Sequence, residues 1–96
     1  MIINESVHFI WDKGNLDKNW KKHKVSCTEC EELFFGEKIM QRNELHSGKE
    51  ARYIAIGKTK IGRRLFVAFT IRKESIRIIS ARDLSKKERG LYEERT

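Results

Sequence analysis

The 96-residue sequence predicts a single α+β domain, residues 1–96, in which two N-terminal helices and a C-terminal helix pack on an antiparallel β-sheet. One observation is the alternation of apolar and polar residues with a period of two, typical of strands, in the second half of the chain. A second is a pair of capping boxes, each a serine followed three residues later by a glutamate, which mark the starts of helices. A third is that the alternating segments are joined by short connections, which favours hairpins and therefore antiparallel pairing.

The first predicted elements are a short strand at residues 8–11 and a helix that runs to about His23. Asp12 and Asn15 are both able to cap this helix, because each has a side-chain oxygen that can accept a backbone hydrogen bond. Helical spacing predicts a shared inner face for three of its residues: Leu16, Trp20 and His23.

A second helix is predicted to begin at Ser26, where Glu29 completes the capping box, and to end at Gly36. Residues 38–45 are predicted to form a strand, and residues 46–49 have the composition of a turn.

The second half of the chain is predicted to contain three strands and a final helix. The helix begins at the capping box of Ser85 and Glu88, which gives the element order β-α-α-β-β-β-β-α. The last two strands are joined by a short turn at either Lys73–Glu74 or Glu74–Ser75. The strands lie at residues 51–57, 63–72 and 76–82.

Three arginines are carried by the last two strands and their connection. Alternation places Arg72 and Arg77 on the face opposite the core, whereas Arg82 has the parity of the core-side residues Ile76 and Ile78. A charge on the core side needs a partner or an opening to solvent. The candidate partners are an anion bound for function or one of three acidic residues: Asp83, Glu88 or Glu93.

The net charge of +7 is unevenly distributed along the chain. Residues 1–50 carry 8 Lys/Arg and 9 Asp/Glu, whereas residues 51–96 carry 13 and 5. The excess coincides with the predicted strands and suggests either a nucleic acid or an acidic protein as partner. Solvated surface charge explains the composition equally well.

Several classes of protein receive no support from the sequence. We expect a cytoplasmic protein with no membrane contact, because there is no basic, apolar leader and no run of about 18 apolar residues. The motif C-T-E-C at residues 27–30 has no second ligand pair, so we expect neither a metal nor a cofactor, and Cys30 is interpreted as a core residue. Nucleotide-binding, metalloprotease and esterase signatures are also lacking.

The order of several short motifs makes the chain resemble a known family. The motifs are W-D-K at 11–13, N-W-K-K-H-K-V-S at 19–26, E-A-R at 50–52, I-G at 56–57, R-R-L-F-V-A-F-T-I-R at 63–72, I-R-I-I-S-A-R at 76–82 and E-R-G-L-Y-E at 88–93. With this spacing the chain resembles the BrnT toxins of bacterial type II toxin–antitoxin modules. Three departures from the family pattern are Lys24 in place of a glycine, Ala51 in the Glu-Glu-Arg motif, and Cys27 after Ser26.

The resemblance implies a RelE-like fold and a ribonuclease that arrests growth. It also implies a cognate BrnA-like antitoxin, through which alone the toxin would contact DNA. The family's functional positions are matched in this chain by Lys22, His23, Glu50, Arg52, Arg72, Arg82 and Tyr92.

The chemistry that we expect is metal-independent attack of an RNA 2′-hydroxyl on the adjacent phosphate. Histidine is the residue type best suited to proton transfer at physiological pH, so His23 is the candidate for that role, assisted by Lys22, with Glu50 or Tyr92 as substitutes. Charge on the phosphorane would be stabilised by Arg72 and Arg82, while phosphate would be bound by Arg52, Arg77 and Tyr92. The alternative is a non-catalytic basic module that binds an acidic protein or nucleic acid, and the Lys22–His23 pair also has a purely structural explanation as the cationic end of a helix.

Overall fold

A computed structural model of the chain describes residues 8–36, 38–42 and 51–95, without the side chains of Ile39, Arg42, Leu91, Tyr92, Glu94 and Arg95. The predicted turn at 46–49, the end of the predicted strand 38–45 and the candidate Glu50 lie outside the described residues. The observed elements follow the predicted order: β1 (His8–Ile10), α1 (Lys13–His23), α2 (Cys27–Phe35), β2 (Lys38–Arg42), β3 (Tyr53–Lys58), β4 (Arg64–Arg72), β5 (Ser75–Asp83) and α3 (Lys86–Arg95).

The strands form one five-stranded sheet in the order β1-β5-β4-β3-β2. Strands β2 to β5 pair antiparallel, as the short connections predict. Strand β1 joins the edge of the sheet parallel to β5. The α+β class expected from the sequence is therefore confirmed.

The hydrophobic core lies between α2 and one face of the sheet. Phe34 of α2 packs edge-on against Phe69 of β4, with ring centroids 5.0 Å apart, and Cys30 is buried beside them as predicted. Burial raises the pKa of the Cys30 thiol to about 12, so this cysteine is an inert core residue at neutral pH. The core cluster is Val25, Cys30, Leu33, Phe34, Ala55, Leu65, Val67, Phe69, Ile76, Ile78 and Ala81.

A bulge in β5 reverses the alternation that the sequence predicts for the end of that strand. Ala68 pairs with Ser80, but the next residue of β4, Phe69, pairs with Ile78, so one extra residue of β5 is accommodated between them. Beyond the bulge the side chain of Ala81 is buried, and Arg82 lies opposite Phe66 instead of facing the core. The prediction that Arg82 lies on the core side is therefore wrong, because one extra residue transfers every later side chain to the other face.

Helix α1 supplies hydrogen bonds to the edge of β5 that β1 is too short to cover. Strand β1 pairs only with residues 75–77 of β5. Further along, the Asn15 side chain donates to the carbonyl of Ile78 at 3.4 Å, and the Asn19 side chain accepts from the N–H of Ala81 at 3.1 Å. The asparagine side of α1 therefore faces the sheet. The predicted inner face is wrong in part, since Trp20 is 51% exposed and His23 is also exposed.

The caps of the helices agree with the sequence signals. Asp12 caps α1, since its side chain accepts from the N–H groups of Gly14 and Asn15. The capping boxes of Ser26 with Glu29 and of Ser85 with Glu88 both form. None of the helices in the described ranges is both long and apolar enough to cross a membrane.

Among the described residues, three that are not glycine adopt the left-handed backbone conformation at turns. Lys73 and Glu74 have φ of 47° and 70° and form the two-residue turn between β4 and β5, which decides between the two turns that the sequence allows. Lys24, with φ 54° and ψ 39°, ends α1. The turn after α1 thus forms with lysine at the position where the resemblance led us to expect glycine, and the backbone strain is retained.

Candidate functional site

The predicted site residues lie at two separate ends of the sheet. We call the first the α1 end, because β4 begins and β5 ends there beside the last turn of α1. It carries Lys22, His23 and Arg82. At the turn end, near Lys73–Glu74, lie the others that are described, which are Arg52, Arg72 and Arg77. Tyr92 belongs to α3, and its side chain is outside the description.

Arg72 and Arg77 form a close pair at the turn end. Arg77 pairs with Thr70 and Arg72 pairs with Ser75, so the two arginines are diagonal neighbours on the outer face, which is the sheet face opposite the core. Side chains in that relation lie about 7–8 Å apart at their origins. Arg77 also contacts the N-cap of α1, at 3.6 Å from the Asp12 carboxylate. The turn end therefore carries two cations on a rigid hairpin.

Arg82 is held at the α1 end of the same outer face. Its two terminal nitrogens donate to the two carboxylate oxygens of Glu88 at 2.7 and 2.9 Å, and its guanidinium lies over the Phe66 ring at 4.1 Å from the centroid. The hydrogen bonds from Arg82 lower the pKa of Glu88 to about 2, and Glu88 in turn raises the pKa of Arg82. The side chain of Arg82 remains 37% exposed.

Arg72 and Arg82 share a face but not a site. Arg82 lies opposite Phe66, and Arg72 follows Phe66 by six positions on β4. At roughly 3.3 Å per residue, the two arginines are about 20 Å apart along the strand. At this separation of the backbone positions, a phosphate bound at Arg82 beside Phe66 lies far from Arg72.

Arg63 is the functional candidate that sequence reasoning missed. It precedes β4, and its guanidinium donates to both carboxylate oxygens of Asp83 at 2.7 and 3.0 Å and to Glu29 at 2.9 Å. It also donates to the backbone carbonyls of His23 at 2.9 Å and Lys24 at 2.8 Å. The only sequence signal was its place in an Arg-Arg pair at a strand start, which does not reveal such distant partners.

The electrostatics of the α1 end reflect this network. The hydrogen bonds from Arg63 lower the pKa of Asp83, and the charges of His23 and Arg89 act in the same direction. His23 and Asp83 are therefore close enough to interact, and Arg82 is the chain neighbour of Asp83. The elements at this end of the sheet carry several more basic residues. They are Lys21 and Lys22 in the last turn of α1, Lys24 at its C-cap, and Lys86, Lys87 and Arg89 in α3.

The arrangement is suited to an anionic polymer. Arginines follow the outer face from Arg82 to the turn end, and exposed Lys22 and His23 stand at the end of α1 that Arg63 joins to β5. Such a distribution of positive charge favours an extended polyanion. Within the described ranges, no group of three or more His, Cys, Asp or Glu side chains is placed to hold a metal ion.

The fold and this surface define a small α+β protein with arginines along the outer face of its sheet. The chain belongs to the BrnT family, since residues 11–88 match the family model described as "Ribonuclease toxin, BrnT, of type II toxin-antitoxin system". The predicted resemblance is thereby confirmed.

A solved structure supports the fold. The crystal structure of the Brucella abortus ribonuclease toxin BrnT has a TM-score of 0.60 and 21% sequence identity to this chain, and the match covers 84% of this chain and 100% of that one. At this identity the likeness establishes the architecture alone. None of the curated proteins matches the chain.

Proposed function

We propose that this protein is the toxin of a type II toxin–antitoxin module, that it cleaves RNA in the cytoplasm without a metal ion, and that a cognate BrnA-like antitoxin neutralises it. Family membership supplies the ribonuclease and toxin class. The observation that supports the finer proposal is the link through Arg63 between the end of α1, which carries Lys22 and His23, and the end of β5, which carries Arg82.

The reaction requires a proton acceptor for the 2′-hydroxyl, a proton donor for the leaving oxygen, and positive charge near the phosphorane. His23 is exposed, and we assign the first proton transfer to it because histidine is the side chain most often used for general acid–base catalysis. We assign charge stabilisation to Arg82 and Lys22, whose fixed cations take the role that a metal ion has in other nucleases. Glu50 and Tyr92 are retained as candidates for the second proton transfer.

The residues of the turn end are assigned to binding. Because Arg72 lies about 20 Å from Arg82 along the sheet, it contacts a different phosphate from the one that reacts. Arg77 is its diagonal neighbour on the same face, and Arg52 directly precedes β3 at this end. An RNA strand of several nucleotides would span both ends, which predicts that very short substrates react poorly.

Incubation of the purified protein with end-labelled RNA in EDTA tests the proposal. We expect products that end in a 2′,3′-cyclic phosphate. Arg82→Ala should reduce the cleavage rate about a hundredfold, since a transition-state contact of this kind contributes about 3 kcal/mol. Lys18→Ala, an exposed cation in the middle of α1, is the control for loss of one charge. A folded Arg82→Ala protein that cleaves at the parent rate would exclude Arg82 from the site.

A second candidate function is binding without catalysis, to an acidic protein or to nucleic acid. The observation that favours it is the spread of arginines over about 20 Å of one face, which exceeds what one reacting phosphate needs. The same assay distinguishes the two functions, because RNA that is retarded on a gel but remains intact in EDTA would indicate binding alone.

A further inference from the structure

Arg63 connects its own segment at the start of β4 to three other parts of the fold through a single planar group. Its hydrogen bonds reach the end of α1 at His23 and Lys24, the start of α2 at Glu29, and the end of β5 at Asp83. A guanidinium has five N–H groups in a fixed plane, and here donors from all three nitrogens are used. Few other side chains could hold four segments in one geometry.

The bonds to the helix end have the most direct consequence for His23. The last carbonyls of a helix have no partner within the helix, and such ends fray unless another group binds them. Arg63 binds the carbonyl of His23 itself and that of the next residue, Lys24, whose left-handed backbone reverses the chain. The backbone from which the imidazole projects is therefore fixed from outside the helix.

The same guanidinium is also fixed to the strand that carries Arg82. Asp83 accepts two of its hydrogen bonds, and Asp83 follows Arg82 directly at the end of β5. The distance between the helix end and the strand end is thus set by Arg63. In this respect Arg63 differs from its neighbour Arg64, whose guanidinium pairs with Glu93 of α3.

We propose that Arg63 is a positioning residue for RNA cleavage: it holds the Lys22–His23 end of α1 at a fixed place relative to Arg82, without contacting the reacting phosphate. This inference rests on the proposed function. Lysine at position 63 would keep the positive charge but could not bind the carbonyls and both carboxylates at once. A displacement of catalytic groups of about 1 Å is known to reduce rates up to about a hundredfold.

The test is a double-mutant cycle between Arg63→Lys and His23→Ala, with cleavage of labelled RNA in EDTA measured below the melting temperature of every variant. We expect Arg63→Lys to lower kcat about 10- to 100-fold, with KM changed by less than about threefold. In the His23→Ala background the same substitution should cause a clearly smaller loss, because only Lys22 is then left to position.

Leu33→Val, a substitution in the core of α2, controls for a general loss of stability, and it should keep the parental kcat at the same temperature. If Arg63→Lys does not fold, Asp83→Asn takes its place in the cycle, since it weakens the link to β5 and leaves Arg63 intact; a several-fold loss of kcat is expected.

The positioning role would be overturned if Arg63→Lys kept the parental kcat, or if the substitution lowered the rate equally with and without His23. Either result would leave the ribonuclease proposal intact. Failure of the parent protein itself to cleave RNA would overturn the proposed function, and the positioning role with it.

Discussion

The ion pair between Arg82 and Glu88 predicts that this protein's affinity for RNA is limited by its own C-terminal helix. Each terminal nitrogen of Arg82 donates one hydrogen bond to the Glu88 carboxylate, so a phosphate that binds both nitrogens in the same bidentate way must displace that carboxylate. Replacing Glu88 by glutamine removes the competing charge. The amide oxygen of glutamine can still accept from the N–H of Ser85, as Glu88 does, so the start of α3 should persist.

The magnitude follows from the exposure of the pair. The fall in the pKa of Glu88 from 4.5 to about 2 corresponds to a free energy of about 3 kcal/mol. This would be the cost of separating Glu88 from Arg82 if the whole shift were lost when the ion pair breaks. The Arg82 side chain is 37% exposed, however, so solvent screening reduces the cost of separating the pair to about 1 kcal/mol or less. Glu88→Gln should therefore bind RNA up to about fivefold more tightly.

The assay is fluorescence anisotropy with a labelled 2′-O-methyl RNA, which cannot be cleaved because its 2′-oxygens are blocked. The matched control is Glu31→Gln, which makes the same change of charge on α2, where Glu31 accepts a hydrogen bond from Trp11. In a salt titration Glu88→Gln should also show a slope steeper by about 0.7, the value for one additional phosphate contact on a single strand.

A Glu88→Gln protein that binds no more tightly than Glu31→Gln would refute the reasoning. The gain in affinity would then come from net charge alone, and Arg82 would not be a phosphate-binding group limited by Glu88.

Two further predictions concern stability. Lys24→Gly should raise the free energy of unfolding by about 0.5–1 kcal/mol, because glycine relieves the strain of the left-handed backbone at φ 54°. The control is Lys21→Gly, which removes the same charge inside α1 and should lower the free energy of unfolding by about 1 kcal/mol. Thermal melts measure both changes, and equal effects of the two substitutions would contradict the argument. Acid should destabilise the fold, since a depressed pKa means that the unfolded state binds more protons. The contribution of Glu88 is complete above its ordinary pKa of 4.5 and is lost as the pH falls towards about 2. The free energy of unfolding, measured with urea across this pH range, should depend less on pH in Glu88→Gln than in the parent. An unchanged dependence would exclude the Arg82–Glu88 pair as a source of the acid destabilisation.

Much of the fold was predictable because its signals are local. The capping boxes at Ser26 and Ser85 each need only residues three positions apart, and both form as predicted. The alternation in residues 65–71 depends only on the pleat of one strand, and it correctly placed Leu65, Val67 and Phe69 in the core. The parallel position of β1 was not predicted, because the pairing partner of a short strand is decided by what lies at the sheet edge.

The candidate site was predicted less completely. The residue types were identified, but Glu50 and the side chain of Tyr92 lie outside the described part of the chain, and their roles stay predictions. Arg63 was missed because its partners lie 20 to 40 positions away in the sequence.

By itself, the sequence determined the order of elements, the core face of β4, the basic character of the second half and the likeness to the BrnT family. Only the tertiary structure decided on which face Arg82 lies and how far it is from Arg72. The physical reason is that a β-bulge arises from the match between two strands, as where Phe69 pairs with Ile78, and no periodicity within one strand encodes it. The contacts of Arg63 likewise exist only once α1, α2 and the sheet have come together.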